Sequence, residues 1–242
     1  MVGKLLARGM LAGVVAGLLT FGFAMVAGEP SVDRAIAFEE HAAEAKGDAH
    51  EEELVSRSTQ AGLGLLTGVL VFGTSVGGLF ALVFAYAYGR AGNLNVRTLS
   101  AWLALAAFIA LVLAPGLKYP PNPPSIGDPE TIGYRTSLYF LMIAISIAMI
   151  VLATQLRRFW ARSMGVWNAT IVSVLAFVAV IAAIESALPS INEVPNEFPA
   201  TLLWQFRIAS FGMQAILWSV MGVLFGWLAE RVLQPIVRSR SA

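Results

Sequence analysis

The sequence predicts an all-α integral membrane protein, a six-transmembrane-helix bundle with both termini in the cytoplasm. Three observations predict it. Of 242 residues, 57% are apolar or aromatic and 13% are charged, against about 45–50% and about 25% in soluble domains; the mean hydropathy is +0.73. Six apolar runs are long enough to cross a bilayer, which takes about 20 helical residues. The charges between the runs alternate in sign from one connection to the next. This composition excludes a soluble domain, a disordered chain and a basic nucleic-acid binder, so no nucleic-acid partner is expected.

The runs span approximately 5–27, 61–88, 99–117, 134–155, 165–187 and 203–229. Backbone polar groups in hydrocarbon must bond within their own segment, so each run is predicted to be helical. The first resembles a signal peptide in part: Lys4 and Arg8 precede an apolar stretch that ends near Ala24-Met25-Val26-Ala27. Its length, and Gly9, Gly13 and Gly17 at four-residue spacing, favour a retained helix, since small residues at that spacing let membrane helices approach closely. The second run carries Gly64 and Gly68, then Gly73 and Gly77. Two glycine-lined helices fit a tight bundle or a homo-oligomer interface, and the sequence leaves both open.

Lys4 and Arg8, Arg90 and Arg97, Arg157, Arg158 and Arg162, and Arg231, Arg238 and Arg240 fall on alternate connections. Basic connections stay cytoplasmic. The acidic connections 28–60, 118–133 and 188–202 then face outward, and the whole chain forms one domain of a multi-pass inner-membrane protein. The approaches to runs four and six are alike. Pro121-Asn122-Pro123-Pro124 with Asp128-Pro129 precedes Arg135; Pro195-Asn196 with Pro199 precedes Arg207. Each arginine is expected about two turns inside its helix, and Asp128 is placed to cap a helix that opens at Pro129. The likeness suggests two three-helix halves related as an inverted repeat.

Cysteine is absent and only two histidines occur, which excludes disulfides, thiolate metal sites and histidine-rich catalytic centres. No zinc-protease helix, phosphate-binding loop or serine elbow is present, so the chain is not expected to be an enzyme or to bind a resident cofactor. Carboxylates and imidazoles concentrate in 28–60, where Glu29, Glu40, His41 and His50 are candidate ligands for a divalent metal, with Glu185 near the end of run five as a fifth. A solvated acidic face that attracts cations electrostatically is the simpler reading of the same residues. At the membrane boundary, Glu29 and Glu185 are expected to oppose Arg135 and Arg207 in ion pairs lining a vestibule, with Lys118, Asn122 and Asp128 at its rim. Five prolines within 115–124 predict a rigid, extended connection.

Leu117-Lys118-Tyr119-Pro120-Pro121-Asn122-Pro123-Pro124, Gly127-Asp128-Pro129-Glu130-Thr131-Ile132, Arg135-Thr136 and Tyr139 resemble the signature of the CbtA family. So do Phe198-Pro199-Ala200, Leu202-Leu203-Trp204, Phe206-Arg207 and Ser210, with Gly28-Glu29-Pro30 and Ser56-Arg57 near the start. The resemblance implies a predicted cobalt transporter subunit that works with a small membrane partner of CbtB type and is linked to cobalamin. That family is described with five spans, where six runs occur here. On this basis the chain is expected to be a permease subunit for a divalent transition metal, cobalt foremost. The alternative is a structural or assembly subunit without an ion path, since runs two, three and four contain no acid. Two arginines beside an outer cavity would also suit an anion carrier.

Overall fold

The computed structural model describes residues 1–46 and 55–240, with side chains described over 1–44 and 55–233. Five helices are long and apolar enough to cross a membrane: α1 Val2–Glu44, α2 Arg57–Ala87, α3 Val96–Lys118, α4 Pro129–Ala187 and α5 Ala200–Leu233. Among the described residues there is no β-strand. The six apolar runs fall on five helices because runs four and five are the two limbs of α4.

Gly165 is the reason. Its φ of 81° and ψ of 161° lie outside helical geometry, in a region that glycine enters without steric penalty. The limbs on either side fold back on each other: Met142 and Ile181 share one buried cluster, and Arg157 Nε donates to Thr170 Oγ1 at 2.9 Å.

The first helix also differs from expectation. The acidic residues after Ala27 do not end it, and helix continues through Glu29–Lys46. Pro30 lacks an N–H and would ordinarily break a helix interior. Here a π turn over Ala24–Gly28 precedes it, with the Glu29 N–H bonded five residues back to the Ala24 carbonyl. The widened turn carries the chain past the proline. A second π turn, Ile109–Leu113, precedes Pro115 in α3. The first of the five clustered prolines is therefore helical, and the chain becomes irregular only after Lys118.

The chain divides into two compact units. One comprises Met1–Leu105, Pro123–Ser125 and Phe198–Ala242; the other comprises Ala106–Asn122 and Ile126–Glu197. This division does not follow two consecutive three-helix halves, since α5 belongs with α1 and α2. In the first unit α1 and α2 run antiparallel with their glycines in register. A Cβ on Gly73 would lie 2.6 Å from the Gly13 carbonyl oxygen, and one on Gly17 would lie 3.0 Å from that of Val69. Gly9 and Gly77 meet in the same way. The four-residue glycine spacing therefore serves packing within the chain, while Gly68 has no neighbour within 4 Å. α5 joins the first stretch of α3 through Ser100, whose hydroxyl donates to the Gly222 carbonyl at 2.7 Å, and through the Arg97–Glu230 ion pair. Phe80, Phe84 and Phe225 fill the core between α2 and α5 with edge-on ring contacts.

Candidate functional site

In each unit, described polar residues that the sequence marks out lie at helix ends beside the acidic connections. In the first unit, the extension of α1 past Pro30 presents two faces. Ser31, Ala35 and Phe38 recur at helical spacing; Ser31 and Ala35 are buried, and Phe38 packs edge-on to Phe198 at 5.0 Å between ring centres. On another face Glu29 and Asp33 lie four residues apart, one turn along the helix. The Arg57 guanidinium, at the start of α2, sits between them. It donates to Glu29 through Nη2, and its Nε lies 3.0 Å from Asp33 Oδ1. Glu29 is largely enclosed, its side chain 13% exposed, whereas that of Asp33 is 60% exposed. Two carboxylates thus share one guanidinium, with one carboxylate open to the surroundings. Nearby, Arg34 donates from Nη2 to Gln205 Oε1 at 2.7 Å.

Further along α1, Glu40 and His41 are exposed, and His41 Nδ1 lies 3.7 Å from Glu44. His50, the other candidate ligand, lies outside the described residues. Among the described residues no three histidine, aspartate or glutamate side chains come together as a metal-holding group.

In the second unit the segment after α4 is tied back to the ends of α3 and α4. The Asp128 side chain accepts from the Glu130 N–H at 2.9 Å, forming the expected cap at Pro129. Glu193 accepts from the Asp128 N–H at 2.8 Å and from the Thr131 hydroxyl at 2.7 Å, and pairs with the Arg135 charge at 3.3 Å, while Arg135 Nε itself donates to Thr131 Oγ1 at 3.0 Å. The Thr131 hydroxyl, then the Asp128 N–H, and with them the Arg135 charge, hold the Glu193 carboxyl below its ordinary pKa against a smaller opposing effect of burial. Gly127 completes the arrangement. Its φ of 119° is a backbone conformation that favours glycine, and the Arg135 guanidinium lies against its bare face.

Lys118 Nζ lies 3.4 Å from Ser190 Oγ, and the Tyr119 hydroxyl donates to the Pro189 carbonyl at 3.0 Å. Burial, and behind it the neighbouring Tyr134, pushes the Tyr119 pKa up, which keeps that proton in place. Glu185 stands two residues before the end of α4. Its Oε1 is shielded from solvent and has no hydrogen-bond partner, and Lys118 is the cation that acts on it.

Glu29 and Arg135 therefore pair otherwise than expected. Glu29 and Arg207 belong to the first unit, Arg135 and Glu185 to the second. Glu29 pairs with Arg57 and Arg135 with Glu193. Arg135 also lies in the first turn of the α-helix that begins at Ile132, not two turns inside it. Arg207 is half-buried one α5 turn beyond Leu203, and Asn122 is exposed in the irregular connection. Asp33, Thr131 and Glu193 were missed as partners. Asp33 carried a signal, being one helical turn from Glu29, but only if the helix is known to pass Pro30. Glu193 carried none, because its donors come from a connection more than sixty residues earlier.

Among the described residues this geometry sets two carboxylates against one guanidinium in the first unit, and one carboxylate against an arginine, a hydroxyl and a main-chain N–H in the second. The five apolar helices make a multi-pass membrane protein. Comparison with curated proteins and with solved structures finds no match. A family model described as "probable cobalt transporter subunit (CbtA)" matches residues 2–230, nearly the full length, and the chain belongs to that family of transporter subunits.

Proposed function

We propose that this chain is a membrane permease subunit that moves a divalent transition metal, cobalt, into the cell in support of cobalamin metabolism. The observation that carries the reading is Arg57 seated between Glu29 and Asp33. An arriving divalent cation competes with the guanidinium for the same oxygens. Arg57 then acts as a built-in counter-ion that yields when the metal takes the carboxylates, and returns when the metal leaves. Oxygen ligands in pairs bind such an ion weakly enough to release it, and His41 with Glu40 and Glu44 lies on the same helix beyond them as a place of first capture. Glu185 is the second acid on the route, with Lys118, Asn122, Asp128, Arg135 and Arg207 as polar and cationic groups that shape access to it.

The same proposal gives six membrane crossings. A straight α4 of 59 residues would measure about 90 Å, three times the hydrocarbon core, whereas the limbs before and after Gly165, about 54 Å and about 33 Å by the same rise, are each long enough for a single crossing. Both termini then lie in the cytoplasm of an inner-membrane protein, with the acidic connections outside and a small membrane partner of CbtB type as the second subunit.

The test is radioactive cobalt uptake in cells without their own high-affinity importers, with and without the small partner. Chain-dependent uptake that falls in Glu29→Gln and Glu185→Gln at matched expression is the expected result. No uptake in either background overturns the permease reading. A second reading, a structural or assembly subunit with no ion path, is favoured by one observation: among the described residues no three candidate ligands meet. Co-purification of a partner without cobalt movement would establish it.

A further inference from the structure

Two π turns flank the Glu29–Arg57 ion pair, one on each helix. In α1 the turn Ala24–Gly28 runs directly into Glu29; in α2 the turn Gln60–Gly64 follows Arg57 after Ser58 and Thr59. A π turn holds one residue more than the α-helix needs, and such turns are rare and frequent at functional places. The first has a cause in Pro30, which cannot donate to the carbonyl four residues back. The second has no cause of that kind, because α2 contains no proline.

Packing does not hold the second turn either. None of the residues from Arg57 to Gly64 is buried. A Cβ on Gly62 would meet nothing within 4 Å, and one on Gly64 would meet the Thr59 carbonyl oxygen of its own helix at 3.3 Å. The bonds at this end of α2 are internal: Ser56 Oγ lies 3.0 Å from Thr59 Oγ1, and Gln60 Nε2 donates to the Val55 carbonyl at 2.7 Å. Among the described residues, its hydrogen bonds to another helix are those of Arg57 to Glu29 and Asp33. The α1 side is anchored by contrast. Ser31 and Ala35 are buried, Phe38 packs on Phe198 and Arg34 bonds Gln205. Further along α2, Gly73 and Gly77 lie against the α1 backbone and keep the rest of the helix in register.

We infer that the π turn Gln60–Gly64 is the hinge by which Arg57 leaves its carboxylates. Charge-assisted bonds to Glu29 and Asp33 hold the turn in its widened form. A divalent ion that takes those oxygens lets it wind into regular α-helix. The extra residue is then given up, and the segment before the turn rotates by one residue, about 100°, and moves about 1.5 Å. Arg57 swings off both carboxylates, and the reverse winding returns it when the ion departs. The inference rests on the counter-ion reading above and gives it a moving part. A swing of the arginine side chain on a static backbone is the competing account, and it leaves the turn unchanged.

The test uses the purified full chain in neutral detergent. Hydrogen exchange of main-chain amides, read by mass spectrometry, reports on the two turns, and thermal unfolding with and without cobalt reports on binding. A regular α turn protects its amides better than a widened one. Cobalt is expected to raise the unfolding temperature and to slow exchange over 60–65 by about threefold or more. Exchange over 24–28, where Pro30 keeps the turn wide, stays the same. Both cobalt responses vanish in Glu29→Gln/Asp33→Gln. Deletion of Gly62 removes the extra residue. Its α2 start should exchange slowly without cobalt and change no further with it. Its unfolding temperature should respond at about threefold less cobalt, since the guanidinium no longer competes. Gly64→Ala replaces the deletion should that chain not fold; its methyl group crowds the Thr59 carbonyl in the π form and shifts both readouts the same way. A cobalt-raised unfolding temperature with unchanged exchange over 60–65 overturns the hinge and leaves the counter-ion reading standing. A deletion variant that needs as much cobalt as wild type also overturns the hinge. No cobalt response by either readout, or one that persists in Glu29→Gln/Asp33→Gln, overturns the hinge and the counter-ion reading together.

Discussion

The Tyr139 hydroxyl donates to the main-chain carbonyl of Leu111 at 3.3 Å, and Leu111 is the residue four before Pro115. The two facts belong together. Proline has no N–H to give the carbonyl four residues back, and in hydrocarbon that oxygen finds no water. Tyr139, from the first limb of α4, supplies the missing proton. Tyr139→Phe is expected to destabilise the protein by about 1–2 kcal/mol by leaving the carbonyl unsatisfied. In a Pro115→Ala background, where a main-chain N–H is restored, the same change is expected to cost much less. A double-mutant cycle by thermal unfolding measures the difference; equal effects in both backgrounds would show that the tyrosine acts on something other than the carbonyl that Pro115 opens.

The glycine contacts between α1 and α2 give a second expectation. Gly13→Ala places a methyl group on the Gly73 carbonyl, backbone against backbone, where no side chain can move aside. Overpacking of this kind costs about 1–3 kcal/mol or more. Gly68 lies on the same helix as Gly73 and meets nothing within 4 Å, so Gly68→Ala is expected to be neutral or slightly stabilising. Yield of folded protein and unfolding temperature, compared between the two, check the register of the pair.

These contacts also show which parts of the fold were legible. Helix content follows from composition because lipid forbids other uses of an apolar backbone. The four-residue glycine period follows because close approach needs one bare face, and Asp128-Pro129 carries its own cap. Each of these signals is local. Glu29–Arg57 and Arg135–Glu193 depend instead on which helix ends meet, and charge alternation sorts connections by side without saying which acid faces which base. Pro30 misled for a physical reason: proline ends helices unless a π turn absorbs it, and nothing in Ala24–Gly28 announces that turn. The fold-back at Gly165 was readable only as a gap between two apolar runs.

Glu193 leads to a pH dependence. Its carboxyl is held below the ordinary value by the Thr131 hydroxyl, the Asp128 N–H and Arg135. A depressed folded-state pKa adds stability above the unfolded value of about 4.3, and that stability is lost as pH falls through the folded value. Wild type is therefore expected to unfold at higher temperature than Glu193→Gln at neutral pH. The gap should narrow steadily below about pH 5 and close in stronger acid. A gap that stays constant across this range would mean that the glutamine lost packing rather than charge.

Arg57 separates a counter-ion from a fixed strut. Its removal leaves Glu29, a largely enclosed carboxylate, beside Asp33 with no cation between them. Two like charges one helical turn apart repel, and the enclosed one loses a charge-assisted bond. Arg57→Gln is expected to lower the unfolding temperature in metal-free buffer, and added cobalt is expected to restore part of it because the ion takes the place of the guanidinium. In Arg57→Gln/Glu29→Gln the repulsion is gone, so the stability loss should shrink and the response to cobalt should disappear. Uptake at low cobalt should follow the same order, raised in Arg57→Gln and abolished in the double variant. If instead the single variant is destabilised but blind to cobalt, Arg57 holds α1 to α2 and does nothing more, and the competing cation that the permease reading requires at this pair has no place to bind.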